Sequence, residues 1–198
     1  MTAKEKSKRI VCLSNSRQLF MAILLYAKEH DNTLPHGGGD PLNATHMGEA
    51  STPAYEAMAA LGSEEIFICP SMPYGRAPFY HDVAKRWRMV GGISYFGNTP
   101  NSHWSAPVYE TAKRLTDDPS KTLIGCTVSR FDWIPKVRFA HGARGGADVF
   151  GTNDPLSAGC QGTNLVVLDG SGRFEQELVP YRLQGSLAHH SFLYLEDE

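Results

Sequence analysis

The stretch MTAKEKSKRIVCLSNSRQLFMAILLYAKEHD, residues 1–31, decides the fold of this 198-residue chain. It contains no proline or glycine. Its apolar side chains recur at steps of three, four and seven, which places them on one broad face of an α-helix. The pattern predicts a single amphipathic helix, roughly 40 Å long, against which the rest of the chain packs. The predicted apolar face consists of Cys12, Leu13, Leu19, Phe20, Ile23, Leu24, Tyr26 and Ala27.

Both ends of this helix carry polar signals. Basic residues cluster between Lys4 and Arg9 and lie largely off the apolar face, so we expect a solvated helix end there. At the other end, Asp31 and Asn32 favour a turn, and Pro35 cannot continue a helix. The predicted helix therefore ends near Asp31.

The composition is that of a globular protein. A chain of 198 residues, 41% hydrophobic and 20% charged, suits one domain with a sizeable core. Its formal net charge of −2 gives no general attraction for nucleic acid, so we expect no nucleic-acid partner. The sequence shows no run of ~20 consecutive apolar residues of the kind that spans a bilayer and nothing like a cleavable secretory signal.

Downstream, short apolar segments alternate with turn-forming residues. A second helix is predicted after Thr52, with Pro53 in its first turn and Gly62 after its end. The Asp169-Gly170 pair predicts a turn between two strands of a hairpin. The predicted strands are 66–69, 91–98 (which runs into a turn), 123–128, 164–168 and 173–178, and a third helix is predicted over 105–115.

Several separated segments resemble the soluble part of pseudopilins from type II secretion-like systems. Within that family, the Asp169-Gly170 hairpin is similar to a subgroup signature in which a histidine, nine residues and Asp-Gly follow one another. The matching histidine here is His141. Many more than nine residues lie between His141 and Asp169, and we interpret the additional glycine-rich residues as an inserted surface loop. The other matching segments are 9–19, 26–35, Phe67-Ile68-Cys69-Pro70-Ser71, the Ser94-Tyr95 to Asn98 region and Pro119-Ser120-Lys121-Thr122.

The resemblance implies a pilin-like α+β fold: a long N-terminal helix packed on a twisted antiparallel sheet of about four strands with long loops. We expect one domain over residues 1–198. Its parts are the helix (1–31), the sheet and loops (32–179) with the insertion at about 143–160, and a C-terminal extension (180–198).

The resemblance also implies a structural, non-catalytic function. Members of the family carry a methylated N-terminus and an inner-membrane anchor, and they assemble with other pseudopilin subunits and the secretion machinery. This chain holds no such anchor, so we expect the native protein to begin ahead of Met1. The described domain would then lie on the periplasmic or cell-surface side of the inner membrane.

An alternative function is an extracytoplasmic glycan-binding module. Aromatic rings in loops can stack on sugars, although aromatic side chains also bury well and can simply fill the core behind long loops. The seven loop aromatics in question are Tyr74, Phe79, Tyr80, Trp87, Trp104, Tyr109 and Trp133.

The four cysteines, Cys12, Cys69, Cys126 and Cys160, form no Cys-x-x-Cys pair. This spacing argues against a zinc knuckle. In an oxidising compartment, a disulfide between Cys12 and Cys69 would close a long loop and stabilise the fold by roughly 4 kcal/mol. Alternatively, all four cysteines act as small buried hydrophobes. The sequence leaves both interpretations open.

Familiar catalytic motifs are missing from the sequence, including the metalloprotease histidine pair, the phosphate-binding P-loop and the Gly-x-Ser-x-Gly elbow. We therefore expect neither enzymatic activity nor a cofactor. His141, Asp169 and Gly170 are predicted to form a structural motif in which the histidine hydrogen-bonds a loop to the Asp-Gly turn.

Calcium is a separate hypothesis, because some pseudopilins hold it in an acidic C-terminal loop. Here Asp148, Asn153 and Asp154 would offer oxygen ligands from the predicted insertion, although without EF-hand spacing.

Overall fold

The computed structural model describes residues 2–37, 49–50, 52–60, 63–72, 75, 77, 79–81, 86–88, 92–98, 111–126, 128–131, 135–152, 154–176 and 189–191. Helix α1 spans Ala3–Glu29, helix α2 spans Thr52–Ala59, and a 3₁₀ helix spans Glu64–Phe67. Within these residues the strands are β1 Glu49–Ala50, β2 Phe79–His81, β3 Arg86–Arg88, β4 Ile93–Tyr95, β5 Thr122–Cys126, β6 Val128–Phe131, β7 Lys136–Phe139, β8 His141–Gly142, β9 Ala147–Phe150, β10 Cys160–Val167, β11 Gly172–Glu175 and β12 His189–Ser191.

The described strands form three antiparallel sheets. The central sheet has the order β11-β10-β5-β4, with β8 paired beside β10. A second sheet has the order β12-β6-β7-β9, and a small third sheet has the order β1-β3-β2. The predicted α+β class is confirmed, whereas the strands divide among three sheets instead of the one that was expected.

Helix α1 begins and ends where the sequence predicts. Thr2 caps its start, because the Thr2 hydroxyl accepts a hydrogen bond from the Glu5 backbone N–H at 3.2 Å. After Glu29 the backbone enters the left-handed region, with φ of 52° at Asp31 and 59° at Asn32. Asp and Asn tolerate this conformation better than most residues, so they end the helix cleanly.

Most of the predicted apolar face of α1 is buried: Cys12, Leu19, Ile23 and Ala27 are each 0% exposed, whereas Leu13, Leu24 and Tyr26 are half-buried. The four fully buried residues belong to one core cluster with residues of β4, β5 and β10. Each fully buried large side chain contributes about 1.5–3 kcal/mol relative to exposure. By length and composition, α1 is also apolar enough to cross a membrane, a property that the core helix of a soluble protein shares.

Two charged residues of α1 lie inside the protein, contrary to the prediction of a solvated helix end. Arg9 is 7% exposed and Glu5 is 2% exposed. Both point toward the same region of the core, where they contact the candidate site described below.

The predicted hairpin is confirmed. Strands β10 and β11 pair in antiparallel register from Thr163↔Glu175 to Val166↔Gly172. In the turn, Asp169 accepts a hydrogen bond from the Ser171 backbone N–H at 2.6 Å, and Gly170 has φ of 84°. The Asp169-Gly170 pair therefore stabilises the turn in which it lies, between β10 and β11.

The predicted strand at 66–69 is wrong, because a 3₁₀ helix occupies its first half. The Ile66 N–H bonds to the Ser63 carbonyl at 3.1 Å, and the Ile68 N–H bonds to the Glu65 carbonyl at 3.0 Å. This tight turn buries Phe67 completely and stacks it on Tyr55 of α2, with ring centroids 5.6 Å apart.

Of the predicted third helix, residues 111–115 are not helical, with Arg114 in an isolated β-bridge to Thr33, and the rest of it lies outside the described residues.

The predicted insertion is not a loop throughout, because it contains β9, which pairs with β7. Asp148 of β9 accepts two hydrogen bonds from Arg138, from Nε at 2.7 Å and Nη2 at 2.9 Å. Lys136 Nζ lies 2.8 Å from the same carboxylate. Asp148 therefore has basic partners in place of the further oxygen ligands that calcium would need.

The other calcium candidates add little to that hypothesis. Asp154 accepts hydrogen bonds from the backbone N–H groups of Leu156 and Ser157, each at 3.1 Å, and so closes its own turn. Asn153 lies outside the described residues. Calcium binding stays a prediction that the geometry around Asp148 does not favour.

The Asp148 ion pairs predict a pH-dependent stability. Burial opposes ionisation of Asp148, but the hydrogen bonds and charges of Arg138 and Lys136 outweigh it and hold the pKa of Asp148 below its usual value of 3.8. Since the folded pKa is lower than the unfolded one, the stabilisation is complete above the unfolded value and disappears as pH falls through the folded value. We expect Asp148→Asn to lower the free energy of unfolding by about 1 kcal/mol at pH 7.

Urea unfolding of both proteins at pH 7 and at about pH 3 checks this expectation. The difference in the free energy of unfolding between the wild type and the variant should be smaller at the acidic pH than at pH 7. A difference that is the same at both pH values would contradict it.

Candidate metal centre

Three cysteines and one histidine from four separate segments converge in the core. Cys12 lies in α1, Cys69 follows the 3₁₀ helix, Cys126 ends β5 and His141 begins β8. Each residue offers one ligand atom, a sulfur or a ring nitrogen, and these four atoms all lie within 4.8 Å of one another. Cys126 is 4% exposed and the other three are 0% exposed. We call this group the Cys3His cluster.

The distances within the cluster suit a tetrahedral ion in part. His141 Nε2 lies 3.4 Å from Cys126 Sγ and 3.7 Å from Cys69 Sγ. With the usual zinc bond lengths, a tetrahedron places nitrogen and sulfur ligands about 3.6 Å apart and two sulfurs about 3.8 Å apart. Both nitrogen–sulfur distances agree with that geometry.

The Cys12 and Cys126 sulfurs are closer, at 2.9 Å. They would have to separate by about 0.9 Å to bind a tetrahedral zinc ion. The same distance is well beyond the ~2.05 Å of a disulfide bond, and all four cysteines are free. The disulfide between Cys12 and Cys69, one of the two interpretations that the sequence leaves open, is not formed in this structure, and both cysteines belong to the cluster.

A buried carboxylate orients the histidine. His141 Nδ1 lies 3.3 Å from Glu5 Oε1, which also accepts a hydrogen bond from the Ser71 hydroxyl at 2.8 Å. Because an ionised carboxylate only accepts hydrogen bonds, this contact assigns the proton to Nδ1 and leaves Nε2 with a free lone pair. Metal-binding histidines show this arrangement, with one nitrogen on the metal and the other donating to a carboxylate.

Arg9 connects this carboxylate to the surrounding strands. Its Nε lies 3.6 Å from Glu5 Oε1, and its Nη2 donates to Gln161 Oε1 at 2.8 Å and to the Gly142 carbonyl at 3.3 Å. The guanidinium also lies over the Phe174 ring, 4.2 Å from its centroid. The first turns of α1 are thereby bound to β8, β10 and β11.

Asn164 of β10 completes the contacts of His141. Its side-chain N–H group lies 3.4 Å from His141 Nε2 and donates to the Arg9 carbonyl at 3.0 Å. A donor facing Nε2 agrees with a lone pair on that nitrogen.

The three thiols differ in their acidity. Burial raises the pKa of Cys12 and of Cys126 well above the usual value. Hydrogen bonds from Cys12 and Cys126 hold the pKa of Cys69 well below that value. The three buried thiols therefore do not ionise independently of one another.

Cys160, the fourth cysteine, lies outside the cluster. It belongs to a second core cluster with Phe139 and Leu165, and burial raises its pKa to about 11. Cys160 matches the interpretation of cysteines as small buried hydrophobes.

The predicted link between His141 and the Asp-Gly turn is wrong. Among the described residues, His141 contacts Glu5, Asn164, the cysteines and the Phe174 ring, while the exposed Asp169 accepts a hydrogen bond within its own turn. The side chains of all seven loop aromatics, from Tyr74 to Trp133, lie outside the described residues, so the structure does not address the glycan hypothesis.

The chain matches no protein-family model, no curated protein and no solved structure. The functional conclusions therefore depend on the residues and their geometry.

Proposed function

We propose that this chain is a non-catalytic, pseudopilin-like subunit whose α1 packs against α1 of further copies in an extracytoplasmic filament. The observation that supports this most is the exposed side of α1. Four large apolar side chains there are exposed to solvent: Ile10 (70%), Val11 (46%), Met21 (48%) and Leu25 (49%).

These four side chains share one uncharged strip. At ~100° per residue they fall within one ~100° arc of the helix, over a length of roughly 33 Å counted from Ala3 to Leu25. Between Ala3 and Leu25 the other exposed residues of this arc are Ala3, Ser7, Ser14 and Gln18, and beyond Leu25 the exposed Lys28 and Glu29 lie at its two edges. We call this strip the outer face of α1. A long, exposed apolar strip marks an interaction surface more often than a simple solvated one.

A groove of about 360 Å³ continues the outer face on one side. It is bordered by Val11 and Asn15 of α1 and, on the other side, by Ser63, Glu65, Ile66, Ile68 and Pro70. An apolar side chain from the helix of a neighbouring copy would fit between these walls. The groove and the outer face together favour another copy of α1 as the occupant.

Two further features support the remaining parts of the proposal. The length and apolar composition of α1, which would suffice to cross a membrane, agree with a membrane-anchored protein whose domain lies on the periplasmic or cell-surface side. The Cys3His cluster is almost completely buried and gives no access to a substrate, which favours a non-catalytic role.

A photo-cross-linking amino acid at Met21, in the full-length protein in its source cells, tests this proposal. We expect adducts of the chain with itself, because Met21 belongs to the outer face and is 48% exposed. Leu156 is the matched control, since it is also a large apolar residue, is 55% exposed and is not part of α1. Equal self-adducts at both positions, or none at Met21, would contradict the proposal.

A further inference from the structure

We propose that the Cys3His cluster binds one zinc ion as a structural centre that ties α1 to the central sheet. This inference is independent of the filament proposal, because it depends only on the four ligands and the residues around them. It applies to the chain whether or not the outer face binds another copy.

The donor set selects the class of metal. Three sulfurs and one imidazole nitrogen suit a borderline-soft ion, and Cys3His is an established ligand set of structural zinc sites. Calcium and magnesium prefer oxygen ligands, and the cluster presents none. The ligands come from segments far apart in the chain, so binding would join α1, the segment after the 3₁₀ helix, β5 and β8.

The shell is closed, which favours a structural role over a catalytic one. Catalytic zinc keeps a position open for water or substrate, whereas structural zinc has four protein ligands. Here four protein ligands are present and none is more than 4% exposed. The ion would fill the space between the ligands without contact with solvent.

The surroundings of His141 are already arranged for metal binding. Glu5 Oε1 faces Nδ1 at 3.3 Å and is itself held by the Ser71 hydroxyl at 2.8 Å. This leaves Nε2 directed at the sulfurs of Cys69 and Cys126. Glu5 is thus a positioning residue, because it touches the ligand and not the metal.

The protons and charges of the binding step balance. Zinc enters as a divalent cation and binds three thiolates, and each cysteine that was still a thiol releases its proton to solvent. The centre then carries one net negative charge, and no electron is transferred. Arg9 supplies a buried positive charge beside Glu5, 3.6 Å from its carboxylate.

Metal analysis of the full chain, purified with a reductant, tests the proposal. We expect one zinc per chain. We also expect Co²⁺ to replace zinc with thiolate charge-transfer bands and the strong visible bands of a tetrahedral site. Cys126→Ser should lose the zinc and the charge-transfer pattern, whereas Cys160→Ser, a change at a buried cysteine outside the cluster, should keep both.

A second variant separates metal binding from folding, since Cys126→Ser also alters the core. Glu5→Gln leaves all four ligands in place, and it should weaken zinc binding by roughly 10- to 100-fold in competition with a chelator. Its cobalt spectrum should stay tetrahedral. Unchanged zinc affinity in Glu5→Gln would contradict the role of Glu5.

Three results would overturn the zinc centre itself. The first is a reduced wild-type chain without zinc that gives no tetrahedral cobalt spectrum. The second is a Cys12–Cys126 disulfide together with a lack of zinc binding. Without reductant the mass of the chain would be lower by two hydrogens than after reduction, and the reduced chain would take up no zinc. The third is equal zinc content in wild type and Cys126→Ser.

Discussion

Removing zinc from the reduced chain is expected to lower its melting temperature by roughly 8–16 °C. A ligand that binds only the folded state at a thousandfold excess over its dissociation constant stabilises that state by about 4 kcal/mol. For a chain of this size, each kcal/mol shifts the melting temperature by about 2–4 °C. The effect is large because the four ligands join segments that are distant in sequence, including the core helix α1.

Thermal unfolding followed by circular dichroism, with and without a strong chelator, measures this shift. Adding zinc back should restore the original melting temperature. Cys160→Ser should respond to the chelator like the wild type, while Cys126→Ser should not respond. Identical melting curves for wild type with and without the chelator would show that no structural metal is present.

Gly162→Ala is expected to lower the free energy of unfolding by about 2–6 kcal/mol. Gly162 has φ of 131°, a backbone conformation that L side chains rarely adopt. An added Cβ would also collide with the Glu175 backbone carbonyl and would come within 2.9 Å of the Phe174 ring. Backbone strain of about 1–3 kcal/mol and overpacking of about 1–3 kcal/mol add to give the expected loss.

Gly159→Ala is the matched control for this substitution. Gly159 also has a positive φ, of 93°, but an added Cβ there meets nothing within 4 Å. Only the backbone strain remains, so we expect a loss of about 1–2 kcal/mol. Urea unfolding of both variants measures the difference, and equal losses would show that the close approach of β11 to Gly162 is unimportant.

Gly162 also couples the fold to the cluster. It pairs with His141 across β8 and β10, next to an irregularity in the register between Cys160 and Gly162. A shift of β10 at this point would move His141 relative to the cysteines. We therefore expect folded Gly162→Ala to bind zinc more weakly than folded Gly159→Ala.

The sequence predicts α1 and the β10–β11 hairpin well, because both depend on local signals. The 3.6-residue spacing of apolar side chains marks the buried face of α1, and Asp169-Gly170 marks the turn. Local signals do not predict the secondary structure correctly where tertiary contacts determine it. Residues 66–69 look like a strand, yet the burial of Phe67 beside Tyr55 favours a 3₁₀ turn. The glycine-rich insertion conceals β9, which its pairing with β7 defines.

The cluster was not predictable from spacing, because its four ligands lie on four separate segments. The usual zinc motifs bring two cysteines together within a few residues, and none of the cysteines here has such a neighbour. Two of the four ligands, Cys12 and Cys69, are the pair for which the sequence suggests a possible disulfide. The helical spacing of Cys12 with Leu19 predicts that Cys12 is buried, but it does not predict which residues lie beside Cys12.

The residues around the cluster were hidden for a different reason. Glu5 and Arg9 are separated by four positions in a helix, which is typical of an exposed ion pair on a solvated face. In the structure they are buried, because β8, β10 and β11 cover the first turns of α1. Only the tertiary fold shows that Glu5 faces His141.

X-ray absorption at the zinc edge of the purified, reduced full chain tests the proposed centre most directly. We predict a first shell of three sulfurs at about 2.3 Å and one nitrogen at about 2.0–2.1 Å. A shell made only of oxygen and nitrogen, or a chain that retains no zinc, would contradict the assignment of Cys12, Cys69, Cys126 and His141 as its ligands.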